Sequence, residues 1–281
     1  MAEQGLQTHL REWRPEPLVE TDALTAEPSR ALAAVLEADA PGDVLPPLWH
    51  WVHFLQWPGH SELGADGHPT DGRFLPPIPD RRRMFAGGRL TVTAPLRLGV
   101  PAERTSSLGG VVVKQGRSGE MAFVTVRQEY RQDGELRVVE EQDYVYRSGE
   151  SSAKDPDAAR PTETPSSDAP WQRAFTGDPV RLFRFSALTA NAHRIHYDAP
   201  YAREVERYPG LVVHGPLLVL LMTELARHRA PELTIAGLDY RLRRPVFVGD
   251  PVLVTGGPDG AMAVRTAPDT VMATAQITFR G

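Results

Sequence analysis

The stretch Gly215-Pro216-Leu217-Leu218-Val219-Leu220-Leu221-Met222 constrains this chain most. Leu217 to Leu221 are consecutive large aliphatics, so any helix they form is apolar all round. Such a helix has no face to give to water and must be buried on every side. Pro216 suits the first turn, because its missing N–H would be unpaired there in any case. A helix is therefore predicted over Pro216 to Arg229. Burying each large aliphatic side chain contributes about 1.5–3 kcal/mol, and a curved sheet closed round the helix meets that demand. The longest apolar run, Leu217 to Met222, falls far short of the roughly 20 residues needed to cross a bilayer.

The flanking sequence supplies such a sheet. Ile235–Phe247, Pro251–Gly256, Met262–Thr266 and Val271–Arg280 read as strands, preceded by a first strand over Val180–Ser186 and a helical stretch over Ala187–Val205. The earlier part of the chain has a similar order. Pro28–Ala38 and Leu48–Leu55 read as helices and Pro58–Asp80 as a long loop. Arg89–Leu98, Ser106–Gln115, Met121–Arg131 and Glu135–Tyr146 read as strands, with hairpin turns at Gln132-Asp133-Gly134 and Gly116–Gly119. Ser148–Pro170 is rich in Ser, Pro, Asp, Thr and Ala without apolar periodicity, as a flexible linker is. It divides the 281 residues into halves 1–147 and 171–281, joined by 148–170. Gly88 to Gly99 and Gly237 to Gly249 share an extended run, then a Pro, then a Gly turn. The halves thus read as a duplicated α+β unit, each with a sheet wrapped round a helix: a double hot-dog.

Composition narrows the function. There is no cysteine, which excludes disulfide and thiolate chemistry. A net charge of −5 offers no basic field for nucleic acid. The polar, mixed-charge stretch Met1–Arg14 lacks the apolar core of a signal peptide, and a soluble, cytoplasmic protein without membrane partners is expected. The cationic groups are nearly all arginine, with lysine only at Lys114 and Lys154.

Two segments carry the chemistry: Asn191-Ala-His193-Arg194-Ile-His196-Tyr-Asp198-Ala-Pro-Tyr201-Ala202, and Val213-His214-Gly215-Pro216-Leu217. Glycine at a helix head lets a ligand approach the backbone. The N–H groups of Gly215, Leu217 and Leu218, with the helix dipole, then form a site for developing negative charge. An ordinary capped core helix is the plain alternative. Asn191 and His196 are close enough along the chain to converge on one water. Imidazole transfers protons near neutral pH, whereas Asn191, the only asparagine, orients without titrating. A lone histidine is more often a hydrogen-bonded structural group, and it is the combination that points to catalysis.

Together the segments resemble the MaoC-like enoyl-thioester hydratases and 3-hydroxyacyl-thioester dehydratases. Their signature reads Asp-x-Asn-Pro-x-His-x-Asp-x-x-Tyr-Ala, followed by Val-His-Gly and an apolar helix. Asn191 stands at the catalytic Asp, His193 at the Asn, Arg194 at the Pro and His196 at the catalytic His. Asp198, Tyr201, Ala202, Val213, His214 and Gly215 match outright. With Pro46-Pro-Leu-Trp49-His50 and Arg82-Arg83-Met84-Phe85-Ala86-Gly87-Gly88, the variant motif is similar to the branch holding mesaconyl-C4-CoA hydratases, itaconyl-CoA hydratases and mitochondrial-type dehydratases.

The resemblance implies reversible hydration of an enoyl thioester, with His196, Asn191 and Asp198 catalytic. Gly215, His214, Leu217, His193, Arg194 and Arg82 would form the oxyanion and substrate site, the last two arginines serving a dicarboxylic acyl group. It implies no metal and no cofactor, CoA or phosphopantetheine being the handle of the substrate, and a monomer acting as its own pseudo-dimer or a homodimer. The N-terminal half would be degenerate, with Trp49 and Trp51 filling the place of the His-Gly pair. Arg81-Arg82-Arg83 and Arg241, Arg243 and Arg244 are candidates for CoA phosphates or a substrate carboxylate, with a solvated charged face as the plain alternative. His50, His53, His60 and His68 fit no metal-site spacing. The missing Asp motivates a rival reading, a non-catalytic acyl-CoA-binding module or inactive partner subunit. A thioesterase would need a carboxylate that Asn191 does not supply.

Overall fold

The computed structural model describes residues 5–116, 119–149, 157 and 159–280. The helices are α1 (Leu6–Leu10), α2 (Ala26–Leu36), α3 (Pro179–Leu188) and α4 (Gly215–Arg229). Strands β1 (Leu18–Asp22), β2 (Arg81–Val92), β3 (Ala102–Gly116), β4 (Gly119–Gln132) and β5 (Glu135–Ser148) lie in the first half. In the second are β6 (Trp171–Thr176), β7 (Thr234–Leu242), β8 (Pro251–Gly256), β9 (Ala261–Ala267) and β10 (Thr270–Arg280).

All ten strands form one antiparallel sheet, ordered β1-β3-β4-β5-β2-β7-β10-β9-β8-β6. The two half-sheets meet edge to edge where β2 pairs with β7, Gly88 opposite Tyr240 and Leu90 opposite Leu238. These are the stretches that the internal repeat matches, so the repeated segments pair with each other across a pseudo-twofold axis. The duplication also shows in hydrogen bonds. Leu45 N–H donates to Leu96 C=O as Val213 N–H donates to Val246 C=O, both at 2.8 Å.

The second half-sheet wraps α4, which touches β6, β7, β8, β9 and β10. Every residue from Leu217 to Ala226 is buried, as an all-apolar helix requires. Glu224 is the polar intruder. It is compensated by Arg227 at 2.7 Å and by the Trp49 indole N–H at 2.8 Å. Arg227, His228 and Arg229 in the last turn face the negative end of the helix dipole.

Several expectations are corrected. Among its described residues the first half has no long central helix: Pro46-Pro47 is followed by only a 3-10 turn, Trp49–Val52, after which His53 is extended. Val180–Ser186 is not a strand but the body of α3. Asp178 accepts the Arg181 N–H at 3.0 Å and Pro179 occupies the first turn, a complete helix start. The strand of that region is β6, just upstream. Ala187–Val205 is not one helix, since Ala190 takes a left-handed φ of 50° and breaks it into short turns. Of the Ser148–Pro170 linker, 150–156 and 158 lie outside the described residues, as do Arg117 and Ser118 of the Gly116–Gly119 turn. Within that linker, Arg160 is bound to the buried Asp250 at 2.6 Å and to Val248 C=O. No helix among the described residues is long and apolar enough to cross a membrane.

Candidate active site

A cavity of about 1510 Å³ runs between the halves, bordered by Asn191, His193, His196 and Gly215 from the second and by His68 and Arg83 from the first. The short segment between α3 and α4 places the histidines. Asn191 N–H donates to Ser186 C=O at 2.9 Å, and the Asn191 side-chain oxygen accepts the His193 N–H at 3.1 Å. His196 then ends a 3-10 turn, Arg194–His196.

His196 is buried, with Nδ1 2.7 Å from Val212 C=O. A carbonyl only accepts, so Nδ1 carries the proton and Nε2 is the lone-pair nitrogen. Burial pushes the His196 pKa down to about 4, against the opposing pull of that carbonyl. The ring stacks on His214 with centroids 3.7 Å apart and planes at 18°. His214 is fully buried, bonded through Nε2 to Ser186 Oγ at 2.9 Å, and held well below the ordinary imidazole range by burial and then by His196 and His193. Thus His196 and the head of α4 are one unit: His214, under the ring, is the residue that precedes Gly215.

At that head, Leu218 N–H is already taken by His214 C=O at 3.3 Å, and Leu217 is buried away from the cavity. The expected trio of donors therefore reduces to Gly215, which does border the cavity. A Cβ on Gly215 would stand 2.3 Å from Leu242 Cδ1, so any other residue here would have to push that side-chain tip of β7 aside.

Asp198 and Arg194 are not in the cavity wall. They bind each other at 2.7 Å, Arg194 lies over the Tyr201 ring at 4.0 Å, and Asp198 accepts the Tyr201 N–H at 3.1 Å. That amide first, and Arg194 next, hold the Asp198 carboxyl below its ordinary range. These contacts brace the turn after His196, whereas a catalytic Asp198 and a carboxylate-binding Arg194 were expected in the cavity wall. Arg82 does line the cavity, but its guanidinium is bound to Glu206 at 3.1 Å and to Gly149 C=O at 3.0 Å.

Sequence reasoning missed the contribution of the first half. Gly67, at φ 88°, turns the 64–70 loop against Ala192, where a Cβ would stand 1.9 Å from the carbonyl oxygen. Arg194 N–H donates to Asp66 C=O at 2.9 Å and clamps the loop there. His68 thereby lies over His193, centroids 4.0 Å apart, with Nδ1 on Asp66 at 3.0 Å. Burial pushes the Asp66 carboxyl up, but the hydrogen bonds from the His68 ring and amide outweigh it and hold it at about 2. His193 is pushed down to about 2 by burial, then by His68 and His196. The donor atoms of Asp66, His68 and His193 lie within 4.8 Å of one another, a grouping made by the fold and invisible in sequence spacing.

Of the two tryptophans expected in the first half, Trp51 lines the cavity and Trp49 lies behind it. Trp49 is fully buried, and Trp51 hydrogen-bonds Glu140 at 2.8 Å.

Comparison with known proteins identifies the family. The family model described as hydroxyacyl-thioester dehydratase type 2 matches residues 48–248. The chain is 48% identical to the mesaconyl-C4-CoA hydratase of Chloroflexus aurantiacus over 265 residues, 88% of this chain and 92% of that protein. It is 29% identical over 241 residues to a mitochondrial hydroxyacyl-thioester dehydratase type 2 of Schizosaccharomyces pombe, covering 77% and 79% of the two chains. A Mycobacterium tuberculosis protein described as a double hotdog fold superposes with a TM-score of 0.57 at 13% identity, over 94% of this chain and 95% of that one. The chain is a hydro-lyase of the hydroxyacyl-thioester dehydratase type 2 family, built as a double hot-dog.

Proposed function

We propose that the cavity adds water across the double bond of an enoyl-CoA whose acyl group is a short dicarboxylic acid of the mesaconyl-C4 type, and that the same path reversed is the dehydration. One observation carries the reading. The Val212 carbonyl fixes the His196 tautomer and leaves Nε2 unprotonated, and His196 and Gly215 border the same cavity.

In this scheme the thioester carbonyl accepts from Gly215 N–H at the positive end of α4. The donor is most valuable as the carbonyl becomes enolate-like, and losing one such donor typically costs about 2.7–4 kcal/mol of barrier. His196 Nε2 takes a proton from water as its oxygen bonds Cβ, and the resulting imidazolium returns that proton to Cα. The net change is H and OH added across the double bond, with nothing left on the enzyme. The ring is neutral at working pH, as a base must be, and its protonated form gives the proton up readily. Asn191 borders the site and cannot titrate, so it orients water or substrate. The route calls on no cofactor, the CoA or phosphopantetheine being the handle by which the substrate is held, and the fused halves serve as their own dimer.

The test follows the enoyl-thioester absorbance of the purified protein with mesaconyl-C4-CoA and crotonyl-CoA, and identifies products by mass. Loss of the band with gain of one water supports the proposal. Tight binding of both without turnover would return the chain to a binding module.

A further inference from the structure

Three arginines stand near the histidines, and two are spent. Arg194 is bound to Asp198 and Arg82 to Glu206. Arg83 is the next residue of β2, so its side chain leaves the opposite face of the strand from Arg82. It borders the cavity, half-buried, and makes no ion pair among the described residues. Its guanidinium lies 4.3 Å from the centre of the Tyr144 ring, the residue that also hydrogen-bonds it, so it is held in place while no carboxylate among the described residues bonds it. The site is near the histidines, since the charge on Arg83 is among the influences on His193 and Asp66 is among those on Arg83. Asp66 itself is engaged by the His68 ring and amide. A cation drawn partly out of water with no anion against it is unfavourable until a ligand supplies one.

We propose that Arg83 is the receptor for a free carboxylate borne by the acyl group on the very carbon that receives water. This rests on reading the histidine cluster as the hydration site. In a mesaconyl-C4 thioester the carboxylate and the methyl group both sit on Cβ, so the receptor must be beside the imidazoles and away from the CoA end. Arg83 meets that condition, whereas Arg243 and Arg244 follow Leu242, which packs on Gly215 at the thioester side. The pairing has a chemical use. An unpaired carboxylate on Cβ repels hydroxide-like oxygen as it approaches, and a guanidinium clamped on it removes that charge. Arg83 thus both selects the substrate and eases attack.

The experiment compares mesaconyl-C4-CoA with 3-methylcrotonyl-CoA, in which a methyl group replaces the carboxylate, in wild type, Arg83→Met and Arg83→Lys. The readout is the ratio of kcat/KM for the two substrates. Arg83→Met should lower that ratio by at least about 10²-fold, as expected when a bidentate charge partner is lost. Arg83→Lys keeps the charge without the fork and should lower it by about tenfold. The saturated analogues methylsuccinyl-C4-CoA and isovaleryl-CoA, titrated calorimetrically, report binding alone, and the preference for the first should collapse in both variants. A kinetic or binding ratio within about threefold of wild type in both variants overturns the assignment, the threshold being near the limit of a measurable half kcal/mol. If Arg83→Met does not fold, Arg83→Lys decides by the same criterion. Should wild type hydrate neither enoyl substrate, the hydratase reading fails, and the saturated pair still settles whether Arg83 binds a carboxylate.

Discussion

The two halves bury histidines in opposite electrostatic company. In the first, His50 Nε2 is 2.7 Å from Glu140, whose carboxylate also accepts from Trp51 and Gln142. Burial pushes Glu140 up, but the nearby His50 outweighs it and holds the carboxyl below its ordinary range. In the second, His196 has a backbone carbonyl, and His214 has a serine hydroxyl and a buried Nδ1 without a partner. The halves begin these arrangements from matching hydrogen bonds, at Leu45 and Val213. Pro46-Pro47 then leads into a 3-10 turn whose side chains fill the space, and His214-Gly215 leads into α4. A carboxylate beside an imidazole locks a proton into the pair. An imidazole kept from carboxylates stays neutral and can take and return one. The same duplicated scaffold thus yields a strut in one half and, in the proposed scheme, a proton carrier in the other.

Breaking the contrast at its active end should have the largest effect. His196→Ala should lower kcat by about 10²–10⁴-fold, the range for a lost general acid/base, with circular dichroism and substrate affinity near wild type. The steady-state rate on the preferred enoyl thioester checks this, and turnover within tenfold of wild type would remove His196 from the mechanism. The opposite end predicts an effect of another kind. Glu140→Gln leaves His50 without its charge partner and should cost about 1–3 kcal/mol of stability, read from the denaturant midpoint, while kcat in the folded protein changes little. A large kcat loss at unchanged stability would mean that the first half takes part in the chemistry.

How far the chain could be read in advance follows the same physical divisions. The burial of α4 and the span of β8 were plain, because five aliphatics in a row and a Pro-to-Gly strand leave few alternatives. The residues of α3 looked like a strand because Arg181-Leu-Phe-Arg-Phe185 mimics alternation. The decisive signal was the Asp178-Pro179 cap, which concerns backbone donors and not apolar spacing. Asn191, His196 and Gly215 could be grouped because they flank one short segment. Asp66 and His68 could not, since their loop has no periodicity and meets Ala192 only through a glycine turn. The choice between Arg82 and Arg83 depended on strand parity. With β2 expected only from Arg89, neither side chain had an assigned face, whereas the strand begins at Arg81.

The smallest effect, and the one that separates the halves most finely, is the response to acid. His196 titrates at about 4 in the folded chain and near 6.5 when unfolded. Between those values the unfolded chain binds a proton that the folded chain refuses, so stability falls as pH falls from about 6.5 toward 4. Each such histidine adds a slope of about 1.4 kcal/mol per pH unit. His193 and His214 act in the same direction. Glu140 behaves differently: its carboxyl is depressed, so its contribution is intact above the ordinary carboxylate value and is lost only at lower pH. The limb between pH 6.5 and 5 therefore belongs to buried histidines held neutral, His53 of the first half among them, and His196→Gln should flatten it by about one proton's worth. Activity carries the matching signature, because kcat/KM requires neutral His196 and should hold until pH drops through about 4. An acid limb centred near 6.5 would mean that the ring meets water or an anion in the working enzyme, and the distinction between strut and carrier would then rest on something other than burial.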